Sequence, residues 1–303
     1  MKNDDLILQE LLKPTLQPFM DSIIEYNSAE FILFGAPLDL TASYRSGSRF
    51  APNAIRQESQ YLESYDLRTG LDWCDVSVTD LGDINRLNDV EEALSAIESV
   101  TRLIKNSGKI PLMVGGEHTV TLGSLRALKP ELILDFDAHL DLRDELFDQR
   151  LSHGTFMRRA FEELDKKVIF IGGRAFSKEE IEFTKFHLEN FILIPSRELQ
   201  DNRYTVFKDL KNEVATASSV YISIDMDVLD PAYAPAVGNP SANGISLSLL
   251  LDILESVLGE NTLGVDITEI TPYYDSGGTA IAGAYLLLQI IYGLKYARLK
   301  LRR

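Results

Sequence analysis

Potential metal ligands alternate along one short segment of the chain. The apolar run Leu132–Leu134 leads into Asp137, His139 and Asp141, which occupy every second position. In extended backbone, alternate side chains point the same way, so the three face one site. Unpaired carboxylates beside apolar strands are costly to bury, so their grouping predicts a compensating divalent cation.

Two further segments carry the same chemistry. Asp225 and Asp227 lie two residues apart where the apolar run Val220–Ile224 ends. His118 follows two glycines that allow the backbone to turn closely around a site. On its own this histidine would be assigned to a structural loop, and it becomes a predicted ligand only beside the two aspartate clusters.

The predicted ligands form a mixed set of imidazole and carboxylate groups, which suits Mn²⁺ and also accommodates Zn²⁺, Co²⁺, Fe²⁺ or Ni²⁺. They are His118, Asp137, His139, Asp141, Asp225 and Asp227. Two metals about 3.5–4 Å apart activate a shared water for attack on carbon or phosphorus, and the ligands do not decide which. Asp135, one step deeper in the strand, is a candidate to support them.

Two more residues are candidates for handling a substrate. His153 follows Asp141 after a polar loop and could pass a proton to a leaving amine. Glu269 follows the apolar run Leu263–Val265, and its carboxylate could bind a planar guanidinium through paired hydrogen bonds.

Seven short apolar runs must position these side chains. They lack polar alternation, as expected for strands buried on both faces of a parallel sheet. The runs are Phe31–Phe34, Pro111–Val114, Leu132–Leu134, Val168–Ile171, Phe191–Ile194, Val220–Ile224 and Leu263–Val265. Helix-like segments alternate with them, which predicts a doubly wound α/β sheet with its ligand site at the carboxyl ends of the strands.

The helical segments follow from apolar periodicity and capping residues. They are Asp89–Asn106 with Asn88 as N-cap and Gly108 as stop, Phe156–Leu164, Lys178–Glu189, Leu247–Leu258 behind Ser246, and Thr279–Leu299. Within the last, the apolar run Ala280–Leu294 is too short to span a bilayer comfortably and is expected to be a buried helix.

Composition narrows the partners and the compartment. The 303 residues carry a net charge of −16, which disfavours nucleic acid or an anionic membrane and suits a cationic small molecule, although acidity also serves solubility. Cys74 is the one cysteine, expected in the core and unable to form an intrachain disulfide. With no signal-peptide pattern at the start, we expect a cytoplasmic protein. No linker divides residues 1–303, which predicts one domain.

Seven segments, in order between Phe34 and Asp275, resemble those of the ureohydrolases, the family of arginase, agmatinase, guanidinobutyrase and formimidoylglutamase. They are Gly35–Asp39, Phe50–Arg56, Gly115–His118, Asp137–Asp141, Ser152–Thr155, Asp225–Pro231 and Glu269. The resemblance implies a three-layer arginase-type fold, with a mostly parallel sheet of about eight strands between helices. It also implies a homo-oligomer, a trimer or a hexamer.

The resemblance further implies two Mn²⁺ ions and a reaction. One ion would take His118, Asp137, Asp141 and Asp225, and the other His139, Asp137, Asp225 and Asp227. Water activated between them would attack a guanidinium carbon, releasing urea and an amine. Glu269 would orient the guanidinium and His153 would shuttle a proton, and these two count with Asp141 as the catalytic residues.

The loop Leu142–Ser152 resembles that of microbial agmatinases and implies hydrolysis of agmatine to putrescine and urea. Its acidic residues Asp144, Glu145 and Asp148 would favour such a dication. The same loop contains the basic residues Arg143 and Arg150, which are compatible with an acidic substrate such as guanidinobutyrate. Guanidinopropionate, arginine and formimidoylglutamate are substrates of other ureohydrolases and stay open as well.

Asn239 departs from the family pattern, because it replaces a threonine expected near the guanidinium, at a position that bears on substrate preference. Two other classes stay open. A catalytically silent homologue would have lost a ligand, and none is lost here. A polyamine deacetylase of the same fold would keep fewer of these carboxylates and use a tyrosine.

Overall fold

A nine-stranded sheet runs through the middle of the computed structural model, in the order β1-β3-β2-β4-β9-β8-β5-β6-β7. The strands are β1 (Leu12–Lys13), β2 (Phe31–Ala36), β3 (Val78–Ile84), β4 (Ile110–Gly115), β5 (Leu132–Phe136), β6 (Lys167–Gly173), β7 (Phe191–Pro195), β8 (Val220–Asp225) and β9 (Thr262–Thr268). Only β1 runs antiparallel to its neighbour. The structure describes residues 2–300, so Met1 and residues 301–303 of the predicted domain lie outside it.

Helices cover both faces of the sheet. They are α1 (Lys2–Leu11), α2 (Ala51–Ser59), α3 (Val90–Asn106), α4 (Thr121–Leu128), α5 (Phe156–Leu164), α6 (Lys178–Phe186), α7 (Ser196–Asp201), α8 (Arg203–Thr216), α9 (Leu247–Val257) and α10 (Gly278–Lys300). The apolar faces of α2 and α7 to α10 pack into one core cluster, and those of α1 and α3 to α6 pack into two clusters on the opposite face. The predicted three-layer α/β fold is confirmed.

All seven predicted strands are present as β2 and β4 to β9, because fully apolar segments are stable only when both faces are covered. The side chains of β4, β5 and β8 are buried along their whole length. The nine strands fit the expected sheet of about eight. The two that the apolar runs did not reveal are β1, which has only two residues, and β3, which is rich in polar side chains.

The five predicted helices are present, and the structure differs from the predictions at two of their ends. α6 ends at Phe186 rather than at the predicted Glu189, because His187 leaves helical geometry with a φ of −129°. The N-cap of α3 is Asp89, whose side chain accepts a hydrogen bond from the Glu92 amide, so the prediction of Asn88 was wrong. The Asn88 amide instead donates to the Glu92 carboxylate at 2.7 Å. Gly108 lies just beyond the helix end with a φ of 73°, and Ser246 caps α9 as predicted.

Two other sequence expectations concern burial. By length and composition α10 could cross a membrane, yet 56% of its most apolar window is buried inside the protein, as expected of a core helix. The expectation that Cys74 fills the core was wrong. The residue is exposed because it lies in a short 3-10 turn, Trp73–Asp75, outside the packed layers.

A buried ion pair attaches α2 to the polar strand β3. Arg56 donates to both carboxylate oxygens of Asp80 at 2.8 and 2.9 Å and to Asp83 at 2.6 Å. Only 3% of the Arg56 side chain and none of the Asp80 side chain is exposed. Without the arginine, Asp80 would be a buried carboxylate with no opposite charge.

We predict that Arg56→Met lowers the free energy of unfolding by about 3–5 kcal/mol, because it leaves a buried charge unpaired. The matched control is Arg68→Met, which breaks a partly exposed ion pair with Asp252 and should cost about 1 kcal/mol or less. Urea denaturation followed by circular dichroism measures both. Equal losses in the two variants would contradict the prediction.

Candidate metal centre

Four neighbouring strands bring the predicted site residues to one edge of the sheet. β4, β9, β8 and β5 are adjacent and parallel, so their carboxyl ends meet. His118 follows β4, Glu269 follows β9, Asp225 ends β8, and Asp137 follows β5. Residues far apart in sequence are therefore placed within contact distance, as the sequence predicted.

The first group surrounds one nitrogen of His118. Its Nδ1 lies 3.1 Å from Asp137 Oδ2, 3.3 Å from Asp141 Oδ2 and 3.5 Å from Asp225 Oδ2. All four side chains are buried. These are the four residues that the family resemblance assigned to one metal.

The second group surrounds His139. Its Nδ1 lies 3.3 Å from Asp137 Oδ1 and 3.0 Å from Asp227 Oδ2. Asp137 therefore offers a different oxygen to each group. Asp225 reaches the first group through Oδ2 while its Oδ1 accepts from the Asp227 amide at 2.7 Å, so its bridging role stays a prediction.

These atoms suit a cation. His118 Nδ1 and Asp137 Oδ2 are buried and make no hydrogen bond within the described residues. Burial raises the pKa of Asp141 to about 7. The pKa of Asp225 is raised well above its usual value, mainly by burial and then by the negative charge of the neighbouring Asp227. Positive charge must compensate such carboxylates, and the nitrogen and oxygen donors match the preference of Mn²⁺ and similar ions.

Hydrogen bonds behind His118 fix its ring. Its Nε2 lies 2.9 Å from Ser223 Oγ, and that hydroxyl donates to Asp266 Oδ1 at 2.6 Å. Asp266 Oδ2 accepts from the hydroxyls of Tyr221 and Thr121. Since the Ser223 hydrogen is used, Nε2 carries the imidazole proton and the Nδ1 lone pair faces the carboxylates of the first group.

Asp135 lies behind the ligands, as the sequence indicated. It is completely buried, and its Oδ1 is 3.6 Å from Nε2 of His118. Neither carboxylate oxygen has a hydrogen-bond partner among the described residues. Burial raises its pKa well above the usual value, and the nearby His118 offsets only part of that shift.

Glu269 is held rigidly beside the ligands. Its Oε1 accepts from the His118 amide at 2.8 Å, and burial raises its pKa to about 8. The residue has a φ of 66°, a left-handed conformation that its own backbone contacts stabilise. Its amide donates to Gly116 O at 2.8 Å, and its carbonyl accepts from the Gly238 amide at 3.2 Å.

His153 and Asn239 line the same cleft. Nε2 of His153 is 3.0 Å from Ser43 Oγ, and that hydroxyl lies 3.4 Å from Asn239 Oδ1. Burial lowers the pKa of His153, so the imidazole tends to be neutral. Asn239 thus lies beside the predicted proton shuttle, with Ser43 between them.

Sequence reasoning missed Arg174, which stabilises the turn after Asp227. Its guanidinium donates to the carbonyls of Asp227 at 2.6 Å, Val228 at 3.2 Å and Leu229 at 3.2 Å. It also donates to the carbonyl of Ser241 at 2.7 Å. A polar residue directly after the two glycines that end β6 was the available signal.

The loop Leu142–Ser152 contributes differently from the expectation. Arg143 and Leu146 line the cleft with Glu180, but the acidic residues Asp144, Glu145 and Asp148 do not. Asp144 instead accepts from Arg159 at 2.8 Å and lies 3.5 Å from Arg150. The predicted contribution of these acids to binding a dication therefore has no support in the cleft itself.

The sequence is similar to a protein-family model and to several enzymes. Residues 29–293 match the model of the arginase family. A guanidinobutyrase of Pseudomonas aeruginosa is 35% identical over 90% of this chain and 89% of its own. An agmatinase of Bacillus subtilis is 37% identical over 91% and 95%. An N(1)-aminopropylagmatine ureohydrolase of Thermococcus kodakarensis is 36% identical over 89% and 92%.

The solved structures agree. The agmatine ureohydrolase of Thermoplasma volcanium superimposes with a TM-score of 0.88 at 36% identity, covering 94% of this chain and 97% of that one. The formimidoylglutamase of Bacillus subtilis gives 0.83 at 25% identity, covering 94% and 92%. The fold is thus shared by relatives named for different substrates.

We predict that Mn²⁺ stabilises the protein, because the cation replaces repulsion among buried carboxylates with attraction. At 100 times the dissociation constant, one bound ion should add about 2.7 kcal/mol to the free energy of unfolding. Asp137→Asn should abolish most of this gain, whereas Asp144→Asn, outside the two ligand groups, should keep it. Calorimetry with and without Mn²⁺ measures the effect, and an equal gain in both variants would contradict it.

Proposed function

We propose that this chain, which belongs to the arginase family, is a ureohydrolase that hydrolyses agmatine to putrescine and urea with two Mn²⁺ ions. The observation that carries the proposal is the pair of ligand groups sharing Asp137, with Glu269 and His153 beside them. When bound, two such ions lower the pKa of a shared water toward about 7 and so supply hydroxide near neutral pH.

Glu269 is placed to bind the guanidinium. Its carboxylate lines the cleft and is fixed by the His118 amide, so it stays directed toward the ligand groups. Paired hydrogen bonds between a carboxylate and a planar guanidinium fix both distance and orientation. The guanidinium carbon would then lie next to the two ligand groups, where the attack takes place.

His153 is placed to manage the leaving amine. Its ring lines the cleft, and burial lowers its pKa, so a neutral imidazole is available to take up a proton and deliver it. The amine needs that proton in order to leave. Without it, the C–N bond would have to break with release of an amide anion, which is a poor leaving group. Ser43, at 3.0 Å, keeps the ring nitrogen oriented.

Agmatine is supported by the relatives and by one buried acid. Two of the relatives are named for agmatine or an aminopropyl derivative of it. Glu180 lines the cleft with only 3% of its surface exposed, and its carboxylate accepts from the amides of Leu142 and Ser177. An ammonium group at the far end of agmatine would find an opposite charge there.

A guanidino acid such as guanidinobutyrate is the second candidate, and Arg143 is the observation that favours it. Its guanidinium lines the cleft, 40% of its side chain is exposed, and its nearest carboxylate oxygen, on Glu180, is 3.8 Å away. At that distance donors remain free for a substrate carboxylate. The guanidinobutyrase relative supports the same substrate class.

We predict that the purified, Mn²⁺-loaded protein releases urea from agmatine with a kcat/KM at least about ten-fold above those for arginine, guanidinobutyrate and guanidinopropionate. Glu269→Gln serves as the control and should lower kcat/KM about 100-fold, which shows that the urea comes from this site. Preference for any substrate but agmatine would overturn the proposal.

Arg143→Gln separates the two candidates. If agmatine is the substrate, removing a like charge should raise its kcat/KM by a few-fold, while kcat/KM for guanidinobutyrate should fall about ten-fold or more. Arg150→Gln is the matched control, since this exposed arginine does not line the cleft and should change neither value. A fall in agmatine hydrolysis by Arg143→Gln would contradict the assignment.

A further inference from the structure

We propose that Glu117 and Thr41 are positioning residues that hold the His153 ring with a proton on Nδ1, so that Nε2 faces the cleft as the proton-accepting nitrogen. The inference rests on the proposed function, which makes His153 the proton shuttle. Both residues are buried behind the ring, and neither lines the cleft. They act on the reaction only through His153.

Glu117 has every acceptor position occupied. Its Oε2 accepts from the amides of Leu40 at 2.6 Å and Thr41 at 2.7 Å. Its Oε1 accepts from the hydroxyls of Thr41 and Thr119, both at 2.7 Å. Two donors on each oxygen leave this carboxylate no room to donate, so the Thr41 hydroxyl hydrogen must point toward it.

The Thr41 hydroxyl can therefore only accept from His153. The His153 amide lies 3.1 Å from Thr41 Oγ1, and the ring Nδ1 lies 3.3 Å from the same oxygen. A hydroxyl oxygen has two acceptor positions, and these two groups fill them. If Nδ1 carried a lone pair instead of a hydrogen, two lone pairs would face each other. The contacts thus specify the tautomer with hydrogen on Nδ1.

Ser43 and Asn239 then serve both protonation states of the ring. When His153 is neutral, the Ser43 hydroxyl can donate to Nε2 at 3.0 Å. When Nε2 has taken up a proton it donates to Ser43 Oγ, and the serine hydrogen can turn toward Asn239 Oδ1 at 3.4 Å. An amide oxygen at position 239 therefore provides an acceptor for the serine at the moment the ring is charged.

The kinetic test compares Thr41→Val, Thr41→Ser and wild type on agmatine and the other guanidino compounds. Valine keeps the shape and removes the hydroxyl, so kcat should fall at least about ten-fold while KM changes less than about two-fold. Thr41→Ser should recover most of the lost rate. The matched control is Thr101→Val, which removes a buried hydroxyl within α3 that does not line the cleft, and this variant should keep wild-type activity.

A double-mutant cycle tests whether Thr41 acts through His153. In a His153→Ala background, Thr41→Val should lower kcat by less than about two-fold, since the ring that it positions is gone. A merely structural defect would reduce kcat equally in both backgrounds and would overturn the inference. So would a Thr41→Val enzyme with undiminished kcat, or one that has lost its metal.

Ring-nitrogen NMR gives a reading that does not depend on turnover. The chain has four histidines, so the Zn²⁺-loaded, histidine-labelled protein should give a tractable spectrum, with His153 identified by the signals lost in His153→Ala. The inference expects a protonated Nδ1 that shifts in Thr41→Val, and a protonated Nε2 in the neutral ring would overturn it. If the wild type hydrolyses no guanidino compound, the proposed function fails, while the tautomer still decides the positioning role.

Discussion

Asp137 offers one carboxylate oxygen to the group around His118 and the other to the group around His139, in a region from which water is largely excluded. Carboxylates packed this closely repel each other unless positive charge lies between them. The surrounding structure serves that requirement. The Ser223 and Asp266 hydrogen bonds direct a histidine lone pair inward, and Arg174 stabilises the turn that carries Asp227.

Local sequence was enough to predict seven strands of the sheet and the polar residues that meet at their carboxyl ends. Strands buried on both faces must be continuously apolar, and polar residues that end such strands have few roles other than a site. Asp137 and Asp225 were predictable for this reason. Within the described chain, the predicted ligands Asp137, Asp141 and Asp225 lie around His118, and Asp137 and Asp227 lie beside His139. Glu269 and His153 line the same cleft.

The features that were missed depend on contacts between distant segments. Strand β3 was not predicted because its sequence is polar. Its Asp80 can be buried only because Arg56 of α2 pairs with it, and the sequence of β3 alone does not reveal that partner. The acidity of Asp144 suggested a role in the cleft, but neighbouring arginines bind it outside. Glu117 was noted only as part of the segment Gly115–His118. Its contact with Thr41 depends on the packing of a distant loop against it, which the local sequence does not predict.

Anomalous diffraction from crystals grown with Mn²⁺ tests the central claim most directly. The account predicts two manganese peaks per chain, about 3.5–4 Å apart. Asp137 should contact both ions, with His118 on one and His139 on the other. A single peak, or two peaks that do not share Asp137, would contradict the account even if the protein hydrolysed a guanidino substrate.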